Sequence, residues 1–159
     1  MCSSDLLERV NKGETAASTA DALIKAGDAG LKRSVMILNG LGGTSLSAQH
    51  ALNSAKLLNE TQPEFVSTLV VSFPQGMARF QQRYPDFVEL NQQQLFRELR
   101  EFVAALTLDN CTFRSDHASN ALVLKGELGR DKERLLAQID QAISRPEQAG
   151  LRPEWMRGL

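Results

Sequence analysis

The chain has 159 residues, 42% apolar and 23% charged, an ordinary globular balance and enough length for a domain with its own core. A net charge of −1, with basic residues scattered among acids, removes the electrostatic argument for nucleic acid or an anionic membrane. No apolar run approaches the ~20 residues of a membrane span, and Met1-Cys2-Ser3-Ser4-Asp5 lacks the basic and apolar regions of a signal peptide, so a soluble cytoplasmic protein is expected.

Helix and strand periodicities alternate along the chain. Arg9 to Gly13 reads as a turn, and Thr15 can cap a helix with Ala16, Ala20, Leu23 and Ile24 on its apolar face, ended by the stretch from Gly27 to Gly30. Ser34 to Leu38 is a nearly continuous apolar run, as expected of a strand buried on both faces. The loop Asn39-Gly40-Leu41-Gly42-Gly43 follows. Thr44 or Ser45 can then cap a helix with Ala48, Ala51, Leu52, Ala55 and Leu58 on one side, and His50 on it reads as a surface or packing residue.

Pro63 stops that helix, and Phe65 to Phe73 reads as a second buried strand broken by Pro74-Gln75-Gly76. Met77 to Leu90 is irregular, with Phe80, Tyr84 and Phe87 available to pin it. Asn91 with Gln94 has the spacing of a capping box, and Leu95, Phe96, Leu99, Phe102, Val103 and Leu106 form a strong helical stripe. Cys111 to Arg114 is a third short strand. Asp131 to Ile143 is a last helix, and Glu147 to Leu159 a tail that Trp155 can anchor. Three strands joined by helices predict α/β architecture with a parallel sheet, the domain covering 1–145 and the tail 146–159. Three strands are few for a closed sheet, so part of a larger barrel is expected.

Three stretches can carry chemistry. Asn39, Gly40, Leu41 and Gly42 sit between a strand's carboxyl end and a helix, where glycines let a ligand approach backbone N–H groups. The spacing fits neither GxGxxG nor a P-loop, and the plainer alternative is a tight turn. Ser72 and Phe73 end the second strand at the same edge, again with ordinary strand termination as the alternative. The densest signal is Arg114-Ser115-Asp116-His117-Ala118-Ser119-Asn120, a polar knot at a strand end. Arg114 can clamp a carboxylate or phosphate, Asp116 and His117 can hold or move a proton, and Ser119 and Asn120 can hydrogen-bond a substrate. The structural alternative is a polar network that stitches the sheet end together. Cys2 and Cys111 are too far apart in sequence for a CxxC-type site, and two histidines cannot make a histidine-rich metal centre.

Leu7 to Thr15, Val35 to Gly43, and Phe113 to Asn120 followed by Leu124-Lys125-Gly126 resemble the C-terminal half of radical S-adenosylmethionine (SAM) proteins of the iron–sulfur oxidoreductase type, related to the Elongator-like group. The resemblance implies a full or partial TIM-like (β/α) barrel, a [4Fe–4S] cluster, and reductive cleavage of SAM to a 5′-deoxyadenosyl radical. It makes Ser34 to Leu38 and the loop after it the fifth barrel strand, whose backbone contacts adenine, with Gly40 to Gly43 near the nucleoside. Phe65 to Phe73 becomes the sixth, also near adenine; Asn39, Gly40, Leu41, Gly42, Ser72 and Phe73 are then the cofactor-binding residues. Of the family's GxIxGxxE pattern only Gly40 matches, with Met36, Leu38 and Gly43 at the other positions. The CxxxCxxC cluster motif is missing, as are the second-strand motif for the SAM amino group and the acidic ribose-binding residue. The expectation is therefore a C-terminal piece that contributes SAM-adenine and substrate contacts. It would need a missing N-terminal half-barrel or partner chain and could not generate a radical alone. The alternative is a non-catalytic degenerate half-barrel that binds a nucleotide or a partner protein. Antiparallel strands, or Arg114 and His117 turned away from the end bordered by Gly40, would contradict the barrel reading.

Overall fold

The computed structural model describes residues 4–157. Its elements are α1 (Ser4–Arg9), α2 (Ala16–Asp28), β1 (Ser34–Asn39), α3 (Gly43–Thr61), β2 (Phe65–Val70), α4 (Ala78–Gln81), α5 (Gln92–Ala105), β3 (Cys111–Ser115), β4 (Leu124–Leu128) and α6 (Lys132–Ser144), followed by two single 3₁₀ turns. The sheet order is β1-β2-β3-β4. β1, β2 and β3 run parallel, and β4 returns antiparallel to β3. The chain is therefore α/β, with an open, mostly parallel four-stranded sheet.

Local chemistry sets most boundaries. Thr15 and Ser18 close a reciprocal capping box at the start of α2, and Asn91 and Gln94 close another at α5. The bulky stripe of α5 (Phe96, Leu99, Phe102, Val103) drives into one core with Val35, Ile37, Val66 and Phe113 of the sheet, Ala55 and Leu58 of α3, and Leu135 and Ile139 of α6. The small α3 residues Ala51 and Ala55 present little bulk to this core. A second cluster, Leu6, Leu7, Tyr84 and Phe87 with Phe73 and Phe80 against it, pins the irregular segment over the carboxyl end of β1. Phe87 meets the Phe73, Phe80 and Tyr84 rings edge-on, Phe80 at 4.8 Å and 80°.

Several sequence expectations are corrected. β1 is not buried on both faces: Val35, Ile37 and Asn39 face the helices, while Met36 is 59% exposed on the other side. Burial there is one-sided because α3, α5 and α6 all join the same core cluster, and among the described residues no helix packs on the opposite face. The fourth strand was not anticipated, since Leu124-Lys125-Gly126-Glu127-Leu128 is too short and too charged to read as a buried strand. β2 ends at Val70 rather than Phe73. α3 starts at Gly43 without a side-chain cap, because the Thr44 N–H donates to the Val88 carbonyl at 3.0 Å. On α3 Ala48 and Leu52 are exposed, whereas His50 is buried, the packing one of its two expected roles. Trp155 is 83% exposed and does not anchor the tail. Arg152 does: its backbone N–H reaches the Ala121 carbonyl at 2.8 Å, and its guanidinium reaches the His117 carbonyl at 2.7 Å.

Candidate functional site

The glycine loop after β1 is closed on itself. Gly40 N–H donates to the Glu98 carboxylate at 2.7 Å, Gly43 N–H to the Gly40 carbonyl at 3.0 Å, and Asn39 Nδ2 to the Leu95 carbonyl at 3.2 Å. Tyr84 Oη donates to the Gly42 carbonyl at 2.8 Å. Gly40 (φ +88°) and Gly43 (φ +57°) adopt left-handed backbone, and a Cβ on Gly43 would lie 2.9 Å from both the Phe87 ring and the Val88 carbonyl oxygen. The glycines are there so that the loop can turn and the 77–90 segment can lie directly on it. Leu41 remains half-buried against the aromatic cluster.

Glu98, which sequence reading missed, holds this loop. It is 2% exposed on α5 and accepts from Gly40 N–H and, at 2.5 Å, from Ser47 Oγ. Burial pushes its carboxyl up to about 7, against the pull of those two hydrogen bonds. His50 lies beneath the same strand end, its Nε2–H donating to the Leu38 carbonyl at 2.8 Å; burial lowers its imidazole to about 4. No short-range signal marks a lone Glu in an apolar helical stripe as a loop clamp, because its partners lie 51 and 58 positions away.

The polar knot divides in two. Its buried half is a stitch: Asn120 Nδ2 donates to the Thr68 carbonyl at 2.8 Å and to Ser115 Oγ at 3.0 Å, and Ser119 Oγ accepts from Val70 N–H at 3.1 Å. Its outer half faces the uncovered side of the sheet. Arg114 is exposed, and its guanidinium makes no hydrogen bond or ion pair among the described residues. Asp116 pairs with Lys125 at 2.9 Å, and that ammonium holds its carboxyl below the usual range. His117 Nδ1 accepts from Ser119 N–H at 3.2 Å and lies 2.9 Å from Ser119 Oγ, so in the neutral ring Nε2 carries the proton.

Register places these side chains in rows across the open face. Lys125 pairs with Arg114, Arg114 with Ser67, and Ser67 with Met36, so β4, β3, β2 and β1 each contribute one residue to a single line. The next row is Glu127, Thr112, Phe65 and Ser34. A cleft of about 340 Å³ covers the β1–β3 part of both rows, from Ser34 and Met36 to Thr112 and Arg114, and reaches Asp116 and His117. Lys125, Ser67, Phe65 and Met36 were not singled out as site residues; only the strand pairing aligns them. Ser72 and Phe73 lie instead in a separate cleft of about 470 Å³ beyond β2, with Glu89, Ser119, Glu154 and Arg157.

The residues present do not fit an iron–sulfur cluster. Cys111 is buried, its thiol pushed up to about 11 chiefly by burial, and the described residues hold no group of three metal-ligating side chains. Cys2 lies outside the described residues. Leu38 and Leu69, paired across β1 and β2, form an apolar pair on the open face. No helix among the described residues is long and apolar enough to cross a membrane. No protein-family model matches this chain, and neither the curated proteins nor the solved structures contain a significant match to it.

Proposed function

We propose that this chain is the C-terminal wall of a radical SAM enzyme, lining with its open sheet face a chamber completed by a cluster-bearing half-barrel. The observation that carries the reading is the singly wound order β1-β2-β3 with its uncovered face. A doubly wound sheet reverses direction and has helices on both faces; a (β/α) barrel winds one way and turns its bare face inward. Parallel strands in soluble proteins are covered on both sides, so an uncovered face calls for a covering body. The antiparallel β4 goes against the all-parallel barrel expected from the sequence, and the reading therefore rests on β1–β3 alone. Arg114 is the penultimate residue of β3, in register with Ser67 and Met36, and His117 follows the end of that strand.

In this scheme Leu38 and Leu69 hold the adenine of SAM, which when bound to a complete enzyme supplies the adenosyl group. Arg114, Asp116 and His117 face substrate. Asp116 keeps its charge beside Lys125, and the proton at His117 Nε2 is the one offered to the chamber. The closed glycine loop favours a second reading, a non-catalytic half-barrel that binds a partner chain, since that loop offers no free backbone cradle.

Titrating S-adenosylhomocysteine into the chain and following backbone amides by NMR separates the two. Shifts confined to residues 34–39 and 66–71 are expected. No shift at millimolar ligand, or shifts elsewhere, would give the chain to the second reading. Anaerobic incubation with iron and sulfide is expected to leave the protein colourless; stoichiometric cluster uptake would overturn the reading of its cysteines.

A further inference from the structure

The open face is graded in polarity from one edge to the other. Its β4–β3 side carries Lys125 and Arg114, the middle carries the Ser67 hydroxyl, and the β1 side carries Met36, with Leu38 and Leu69 one row further toward the carboxyl ends. Adjacent strands are about 4.8 Å apart, so the line from Lys125 to Met36 spans about 14 Å. Two cations stand against one carboxylate at the β3–β4 side: Arg114 and Asp116 line the cleft, and Lys125 beside it engages Asp116, which leaves the Arg114 guanidinium without an ion-pair partner of its own. The other nearby carboxylate, Glu127, lies one row away and accepts from Thr112 Oγ1 at 2.8 Å. Arg33, by contrast, reaches the Thr61 and Gln62 carbonyls and both oxygens of Glu64.

We propose that this cleft binds an amphipathic oxyanion, a carboxylate or phosphate ester whose head sits on Arg114 and whose apolar body lies across β2 onto Met36 and Phe65. A planar guanidinium with free donors recognises such a head bidentately, and Lys125 adds charge beside it. Ser67, between the two ends, offers a hydroxyl to a polar atom next to the head. The His117 Nε2–H closes the upper side of the cleft. An inorganic anion would use only half of this surface, and a neutral apolar compound only the other half. The inference names the ligand class of the face assigned above to substrate, and rests on that assignment only for calling the ligand a substrate.

The test uses the full chain and four probes: phenyl phosphate, phenylacetate, inorganic phosphate and 2-phenylethanol, each followed by amide shifts. Phenyl phosphate and phenylacetate should both move residues 65–68 and 112–117 and bind more tightly than inorganic phosphate. 2-Phenylethanol should bind least. Whichever of the first two binds more tightly assigns the head as phosphate or carboxylate. Arg114→Ala should weaken either by about tenfold or more, and Arg114→Lys by less, because it keeps charge and loses the fork. Met36→Ser should weaken the phenyl compounds and leave inorganic phosphate unchanged. Equal binding of 2-phenylethanol and phenylacetate, or unchanged affinity in a folded Arg114→Ala protein, overturns the proposal. Anion binding without any response to S-adenosylhomocysteine would keep the cleft and remove the radical SAM reading; the reverse result would do the opposite.

Discussion

The glycine loop and the polar knot both look like ligand sites in one dimension, and they differ in what their polar groups do. The loop at 39–43 directs its groups inward: Glu98, Tyr84, Leu95 and Val88 take up Asn39 Nδ2, the N–H groups of Gly40 and Thr44, and the Gly42 carbonyl. The knot directs half of its groups inward, through Ser115, Ser119 and Asn120, and leaves Arg114, Asp116 and His117 outward. Alternation along β3 makes the division. Residues 111, 113 and 115 point to the helices, so 114 must point the other way. A glycine-rich strand end is therefore a weak indicator of a site until the hydrogen bonds of its backbone have been traced.

Substitutions can break the contrast between a closed loop and a divided knot. The largest effect is expected at Gly43, where alanine must adopt left-handed backbone with its Cβ against Phe87 and the Val88 carbonyl. Gly43→Ala should cost about 2–4 kcal/mol in urea unfolding with an unchanged m-value. A loss under about 1 kcal/mol would mean that the loop has room for a ligand after all. Asn120→Ala comes next, at about 2 kcal/mol, since it strips the buried Thr68 carbonyl and Ser115 hydroxyl of their donor. Little loss there would move Asn120 from the stitch to the binding surface.

A subtler effect concerns pH. Glu98 is raised from its ordinary 4.5 to about 7, so it contributes stability below pH 4.5 that is lost as pH rises through 7. His50 is lowered from 6.5 to about 4, so its contribution is present above 6.5 and lost as pH falls through 4. The two oppose each other between pH 4.5 and 6.5. Glu98→Gln should remove one arm, leaving stability that rises with pH across that window while the parent protein stays nearly level. Denaturant midpoints at half-unit pH steps would show it. Parallel curves for the two proteins would mean that Glu98 does not titrate there.

How much of this was legible in the sequence follows from the range of each interaction. The capping boxes at Thr15 and Asn91, the α5 stripe and the aromatic pins at Phe80, Tyr84 and Phe87 were readable, because their partners lie within a few residues or repeat at helical period. The open face was not. Val35 and Met36 are equally apolar in a sequence, and only the absence of a layer over Met36 separates them. β4 was hidden for a related reason: Lys125 and Glu127 look like a loop until their side chains are seen to emerge on an uncovered face. The Arg114–Ser67–Met36 row crosses three strands and exists only in the register.

The smallest expected effect on stability is also the one that separates the two halves of the knot most cleanly. The Arg114 side chain is exposed, carries no hydrogen bond among the described residues, and sits on a strand whose core side is already filled by Phe113. Removing its side chain takes away no buried contact. What remains is a long-range interaction with Asp116, whose carboxylate already has Lys125 at 2.9 Å. Arg114→Ala should therefore change the unfolding free energy by no more than about 0.5 kcal/mol, the range of an ordinary surface substitution. Asn120→Ala, six positions along the same polar run, should cost several times more. A destabilisation by Arg114→Ala equal to that of Asn120→Ala would place Arg114 in the scaffold with Asn120 and leave the open face without its anion-binding head. A stable Arg114→Ala protein that has lost its affinity for phenyl phosphate would instead show the division inside one seven-residue stretch: one half holds the sheet end together, and the other faces whatever occupies the cleft.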